Sequence, residues 1–356
     1  GSVVMRMNGF KEVAEAVGKF AFENYPDYPS WRAAALPELK RLLGFDRLER
    51  LERKPVVPES LWKRRTPLGT IEKLRFSPEE GEEACIYICL PDLPPPYKTF
   101  ICLQGHSTGM HNSIAVEWQD ETVPKAIEGD RDFAIGCLKR GIAAVCLEQR
   151  YMGERSSDPE HHPACLLPTL QNLMIGRTAI GDRVYDVDRL IDYLYTRGDI
   201  DRTRLGVMGN SGGGTTGMFA GAVLDRITHV IASCSFSSFR GSIGSMFHCA
   251  CNYVPGLLEY GESADVVGLT APKPVVIVNG DADEIFPLDE ADRQFRRLEA
   301  VYRAAGAAGN GVHAVGGGGH RFPLMNVPIA RAFSIEGLES VEAGIVCWPA
   351  SVVRLR

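Results

Sequence analysis

Ser211 stands in "LGVMGNSGGGTTGMFAG" (residues 205–221), between glycines and directly after an apolar run. A serine hydroxyl is a weak nucleophile until an adjacent base takes its proton, so a histidine and an orienting carboxylate must stand with it. The bare pattern Gly209-Asn210-Ser211-Gly212-Gly213 carries little weight in a chain with 37 glycines. Its flanks carry more. "RLGVM" reads as a strand and "SGGGTTGMFAGAVL" can open a helix. So sharp a strand-to-helix turn strains the serine's backbone and demands small neighbours. The helix N-terminus beneath it favours negative charge developing there. A phosphate-binding loop is the competing reading, set aside because no Gly-Lys-Ser/Thr follows and no lysine is near.

The partners are expected downstream, acid before base. After the apolar run "PVVIV" comes "NGDADEIFP" (residues 279–287), which puts Asp283 on the turn beyond a strand. Asp281 and Glu284 are its rivals, read as solvated turn residues. His320 in "VGGGGHRF" is the base candidate, because four preceding glycines can carry a loop over the site. His313 is the alternative, but it lies in the predicted strand "GVHAV". An oxyanion needs two fixed N–H donors. One is the backbone N–H of Gly212. The other falls in "QGHSTGMHN", where Gly105 permits close approach beside the substrate and His106 supplies the N–H. His106 and His111 are ligand types without an acidic partner at ligand spacing. Cys249-Ala250-Cys251 is too closely spaced for zinc and lacks a second pair. His161-His162 read as part of a solvated flap. No metal and no organic cofactor is called for.

These residues need strands to present them. "TFICLQG", "IAAVCLEQ", "RLGVMGN", "HVIASCSF" and "PVVIVNGD" are short, nearly continuous apolar runs, the pattern of strands buried on both faces of a parallel sheet. Helical spacing over residues 183–197 and 290–304 alternates with them, which predicts an α/β, mostly parallel, doubly wound sheet flanked by helices. "TIEKLRF" and "EACIYICL" predict a hairpin ahead of it. Residues 1–68 read as an N-terminal helical extension packed on the main body, with helices over 9–23 and from Trp31 to Leu43, then an extended surface connection. Residues 69–356 read as the catalytic domain. Segments 152–175 and 236–265 follow strand ends and are expected above Ser211 as cap-like insertions. Phe236 and Phe239 in the second either wall a narrow acyl pocket or pack in the core.

The chain has 356 residues, 45% hydrophobic and 24% charged, with a formal net charge of −6. That balance gives no electrostatic reason to expect nucleic acid or an anionic membrane as partner. No apolar stretch approaches the roughly 18 residues of a membrane span. Ten cysteines, mostly in apolar runs, read as reduced core thiols and favour a cytoplasmic setting. Gly1-Ser2 reads as an expression scar, so a native leader stays open.

Together, "GNSGGG", "QGH", "EQRYMGERS", "GRTAIGDRVYDVDRLIDYL" and "NGDADEIFP" resemble the acetyl xylan esterase and dienelactone hydrolase branch of the α/β-hydrolases. "WRAAALPELKRLLG" is similar to that group's helical preface, and "FSSFRGSI…HCACNYVPGLLEYGE" to a segment after the fifth apolar run. The resemblance implies an α/β-hydrolase fold and a serine hydrolase with Ser211, Asp283 and His320 as triad. It also implies that the backbone amides of His106 and Gly212 form the oxyanion hole. Gln104 departs from the histidine many relatives carry before the oxyanion glycine. The segment after His320 departs from an amphipathic closing helix and leaves oligomer contacts open. The leading expectation is hydrolysis of a small-molecule ester with a short acyl group, acetylated carbohydrate first among substrates. A peptidase or amidase of prolyl-oligopeptidase type ranks lower, since no propeller-like repeat array precedes the catalytic region. A non-catalytic binding protein would not need all three triad residues.

Overall fold

The computed structural model describes residues 9–106, 108–156, 164–320, 326–333, 345–347 and 352–355. The strands are β1 (Glu59–Thr66), β2 (Gly69–Phe76), β3 (Ala84–Pro91), β4 (Tyr97–Leu103), β5 (Ala143–Leu147) and β6 (Ile200–Asn210). They continue as β7 (His229–Ser233), β8 (Val275–Gly280), β9 (Gly311–Gly316), β10 (Ile345–Cys347) and β11 (Val352–Leu355). They form one 11-stranded sheet in the order β1-β2-β3-β5-β4-β6-β7-β8-β9-β11-β10. From β5 to β11 across that order the neighbours run parallel. β1, β2 and β3 pair antiparallel, and β3 meets β5 antiparallel. Chain order reverses around β4, which has β5 on one side and β6 on the other. The carboxyl ends of β4 and β6 therefore flank the crevice in which such sheets place their ligands.

Both faces of the sheet are covered. On one face the helices Tyr28–Leu43, Ala179–Leu194, Gly212–Val223 and Leu288–Ala304 share the larger apolar cluster. On the other, Phe133–Lys139 and Asn326–Phe333 pack into the second cluster. β5 and β8 are buried at every residue, which is why their sequences are apolar without alternation. Among the described residues, no helix is long and apolar enough to cross a membrane.

The N-terminal extension is part of this core. Asp27 caps the helix Tyr28–Leu43 by accepting from Ser30 N (2.8 Å), and Gly44 ends it in the left-handed conformation. Trp31, Ala35, Leu39 and Leu43, four residues apart, are fully buried on one stripe. Two expectations fail in this region. The helix predicted over 9–23 is formed only at Phe10–Glu15. Lys19 N and Phe20 N instead donate to Glu259 O and Tyr260 O (both 2.9 Å), and that pairing outweighs the helical spacing. The supposed surface connection contains β1, whose charged residues suit an edge strand with a solvated face.

Candidate active site

Ser211 follows β6 directly and begins the helix Gly212–Val223, with φ 56° and ψ −119°. A non-glycine residue so held costs about 1–3 kcal/mol and persists only where its surroundings fix it. Here Ser211 N donates to Ser233 O (2.8 Å) and Ser211 O accepts from Thr215 N (2.9 Å), clamping the residue between β7 and its own helix. The neighbouring glycines are steric necessities. A Cβ at Gly209 would lie 2.4 Å from the Gly213 carbonyl carbon, and one at Gly213 would lie 2.1 Å from Leu103 O.

The turns after β8 and β9 bring Asp283 and His320 together, with His320 Nδ1 2.9 Å from Asp283 Oδ2. An Nδ1–H donated to the carboxylate leaves Nε2 free to accept a proton. Asp283 Oδ1 accepts from Ile285 N (2.9 Å) and Phe286 N (3.1 Å). Burial pushes the Asp283 carboxyl up, but the hydrogen bond and charge of His320, with those two N–H groups, hold it below its ordinary value. The Phe286 ring stacks on His320 with centroids 5.7 Å apart. The rivals lie elsewhere. Asp281 Oδ1 accepts from Gly318 N (2.8 Å) and shapes the glycine loop, while Glu284 is exposed. His313 is buried in β9 with Nε2 2.8 Å from Asn279 Oδ1.

The loop after β4 closes the other side. A Cβ at Gly105 would sit 3.2 Å from Ser211 Cβ, and one at Gly212 would sit 2.7 Å from His106 Cε1. The two residues expected to supply the oxyanion donors therefore meet beside the serine. Polar side chains whose bonding the sequence did not reveal tie this loop down. Gln104 Nε2 donates to Ser113 Oγ and Arg131 O, and Gln149 Nε2 donates to Gln104 O, each at 2.7 Å. Thr216 Oγ1, on the serine's helix, donates to Gln149 Oε1 (2.6 Å). Glu148 accepts from Met110 N and Glu154 N, and burial pushes its carboxyl up to about 8. "EQR" in the sequence was the available signal.

A cavity of about 430 Å³ opens next to His106, lined also by Thr108, His111, Trp118, Lys125 and Tyr151. Both insertions reach it, the first through Met152 and Cys165 and the second through Cys249. Phe236 and Phe239 do not form its wall. Phe236 is fully buried in the larger apolar cluster and Phe239 packs against that cluster, 6.5 Å from the Phe219 ring. The ring that the second insertion brings to the site is His248, edge-on to Phe286 at 5.5 Å. Burial, with the nearby His106 and His320, pushes its pKa down to about 4. His161 and His162 lie outside the described residues.

No family model matches the chain. It is 25% identical over 283 residues to a Bacillus subtilis protein named "Putative hydrolase YtaP", covering 78% of this chain and 90% of that one. Streptococcus pneumoniae galactose-1-phosphate uridylyltransferase 2 is 54% identical over 39 residues, 11% of this chain and 8% of the transferase. Among solved structures, a "putative acetyl xylan esterase" of Bacteroides fragilis superposes with TM-score 0.68 at 16% identity, covering 86% of this chain and 80% of that one. A glucuronoyl esterase from Solibacter usitatus gives 0.62 at 16% identity, with 86% and 93% covered. Strand order, the serine turn after β6 and these superpositions agree: the chain has the α/β-hydrolase fold.

Proposed function

We propose that the protein is a carboxylic ester hydrolase working through an acyl-enzyme. Ser211 attacks the ester carbonyl while His320 Nε2 takes its proton. The backbone N–H groups of Gly212 and His106 receive the oxyanion. His320 then protonates the leaving alcohol, and water deacylates the serine by the same route. Asp283 holds the imidazole tautomer and stabilises the imidazolium. The observation that carries this reading is the 2.9 Å Asp283–His320 pair, set at the strand ends that also present a strained serine.

The substrate we propose is an ester of a short acyl group with a hydroxylated alcohol, acetylated carbohydrate first. The names of the similar proteins support it, as does a cavity beside His106 that mixes an aromatic ring, Trp118, with Lys125 and Glu117. The His106 ring lies against Gly212, and the rings of His248 and Phe286 gather beside His320, which favours a short acyl chain. Each excluded methylene forfeits about 0.8 kcal/mol of transfer free energy. A series of p-nitrophenyl esters beside a p-nitroanilide tests this. We expect acetate to butyrate to be turned over well, octanoate poorly and the anilide hardly at all. A rate optimum at octanoate would replace the substrate class while keeping the nucleophile. Faster anilide cleavage would favour a peptidase, and no turnover of any ester would favour a binding protein.

A further inference from the structure

The fold gathers three cysteines and a histidine that the sequence scatters. One ring nitrogen of His106 and the Sγ atoms of Cys165 and Cys249 lie within 4.8 Å of one another. Cys251 Sγ is 2.7 Å from His106 Nε2 and also lies against Cys165. None of these cysteines is in a disulfide. We propose that His106, Cys165, Cys249 and Cys251 bind a zinc ion.

The donor set is the Cys₃His type that closed, tetrahedral zinc sites use. With Zn–S near 2.3 Å and Zn–N near 2.0 Å, a tetrahedral ion spaces its ligand atoms about 3.5–3.8 Å apart. His106, Cys165 and Cys249 are within small side-chain movements of that spacing, and Cys251, against His106 and Cys165, joins them as the His106–Cys251 pair moves apart on entry of the ion. Binding removes a proton from each thiol to solvent, and three thiolates with a neutral imidazole leave the site one negative charge. Arg183, 2% exposed, lies against Cys251 and Cys165 and balances that charge. Its guanidinium is fixed by donating to Arg150 O at 2.9 and 3.2 Å. Access exists too, because His106, Cys165 and Cys249 line the cavity of about 430 Å³. Spacing alone hides the site, since Cys249-Ala250-Cys251 supplies half of it and the rest lies far upstream.

The ion ties together three segments: the loop after β4, the start of the helix Leu166–Met174, and the turn at Ala250–Asn252. The His106 imidazole lies over Gly212, so a ligated His106 fixes the backbone of its own loop beside the serine. The zinc is thus a structural tether and takes no part in proton transfer.

The test uses the whole protein under reducing conditions. Elemental analysis should find one zinc per chain. After chelation, Co²⁺ added alone should produce the visible bands of tetrahedral cobalt with thiolate-to-metal charge transfer, and Zn²⁺ should bleach them. Cys165→Ser and Cys249→Ser should each lose the charge-transfer intensity or weaken Co²⁺ binding at least tenfold. Absence of stoichiometric cobalt binding by the reduced wild-type protein would overturn the proposal. So would wild-type stoichiometry and spectrum in the Cys165→Ser/Cys249→Ser double variant, or a Cys165 disulfide in protein isolated under reducing conditions. Ester turnover is not the readout, so this inference and the hydrolase reading stand or fall separately.

Discussion

The turn after β5 is held by buried charge, whereas the turn after β9 is held by glycine backbone and hydrogen bonds to Asp281 and Asp283. At the first, Arg150 is 2% exposed and pairs with Asp186 (2.7 Å), Asp182 (3.2 Å) and Glu79 (2.6 Å). Arg155 adds a second contact to Asp186 (2.7 Å), and Arg177 binds Asp182 (2.9 Å) and Glu79. At the second, His320 leans on Asp283 while a Cβ at Gly280 would strike Gly319 O at 2.2 Å. The contrast separates two kinds of motif. One set of residues fixes where a strand ends, and the other carries the proposed base. Losing the first should cost stability, and losing the second should cost rate.

Ser211→Ala gives the largest effect. We expect kcat to fall about 10⁴-fold or more, with labelling by a serine-directed phosphonate abolished and Tm not lowered. Retained labelling would remove the nucleophile assignment. Asp283→Asn should cost about 10⁴-fold by favouring the wrong imidazole tautomer. A heavier loss from Asp281→Asn would transfer the acid's role to that residue.

Arg150→Met should show the reverse pattern. It leaves buried carboxylates uncompensated and should lower unfolding free energy by about 3–5 kcal/mol, read by urea denaturation. A larger loss in kcat than in stability would break the comparison. The deficit should also depend on pH. Burial pushes Asp186 up, but Arg150 and Arg155 outweigh it and hold the carboxyl below its ordinary value; Glu79 is likewise lowered. Carboxyls lowered in the fold contribute stability above their unfolded pKa of about 4 and lose it as pH falls through the folded value. Asp182, raised by burial, offsets part of this. The gap between wild type and Arg150→Met should therefore narrow in acid, and a gap constant from pH 7 to 3 would refute the ion-pair account. The smallest effect is expected at Glu284. Glu284→Gln should leave kcat/KM unchanged, since Glu284 is exposed and holds neither Asp283 nor His320.

How much of this the sequence carried depended on whether a residue's role is local. The positions of Ser211, Asp283 and His320 beyond β6, β8 and β9 were legible because each sits a short step beyond an apolar run, and a parallel sheet brings such steps to one edge. Asp182 and Asp186 were not. On the helix Ala179–Leu194 only the apolar stripe was visible, and nothing in helical spacing reveals that the charged residues are buried as well. For Phe236 and Phe239 the sequence left wall and core open for a related reason, because an aromatic residue after a strand end can turn either way with equal chemical sense; both pack with the core. Cys165 and His106 needed the whole fold before they became neighbours.

The N-terminal helix has a consequence for how the chain is made. Trp31 would contact a Cβ at Gly268, Tyr28 donates to Ala271 O, and Glu23 binds Arg297 (2.7 Å), partners separated by 274 residues. A ribosome adding about 5–20 residues per second needs roughly 15–55 s to supply that last partner. Throughout that interval the stripe of Trp31, Ala35, Leu39 and Leu43 has emerged without the surface that buries it. The helix Tyr28–Leu43 therefore reaches its final packing only after the later segments that bury it have been made.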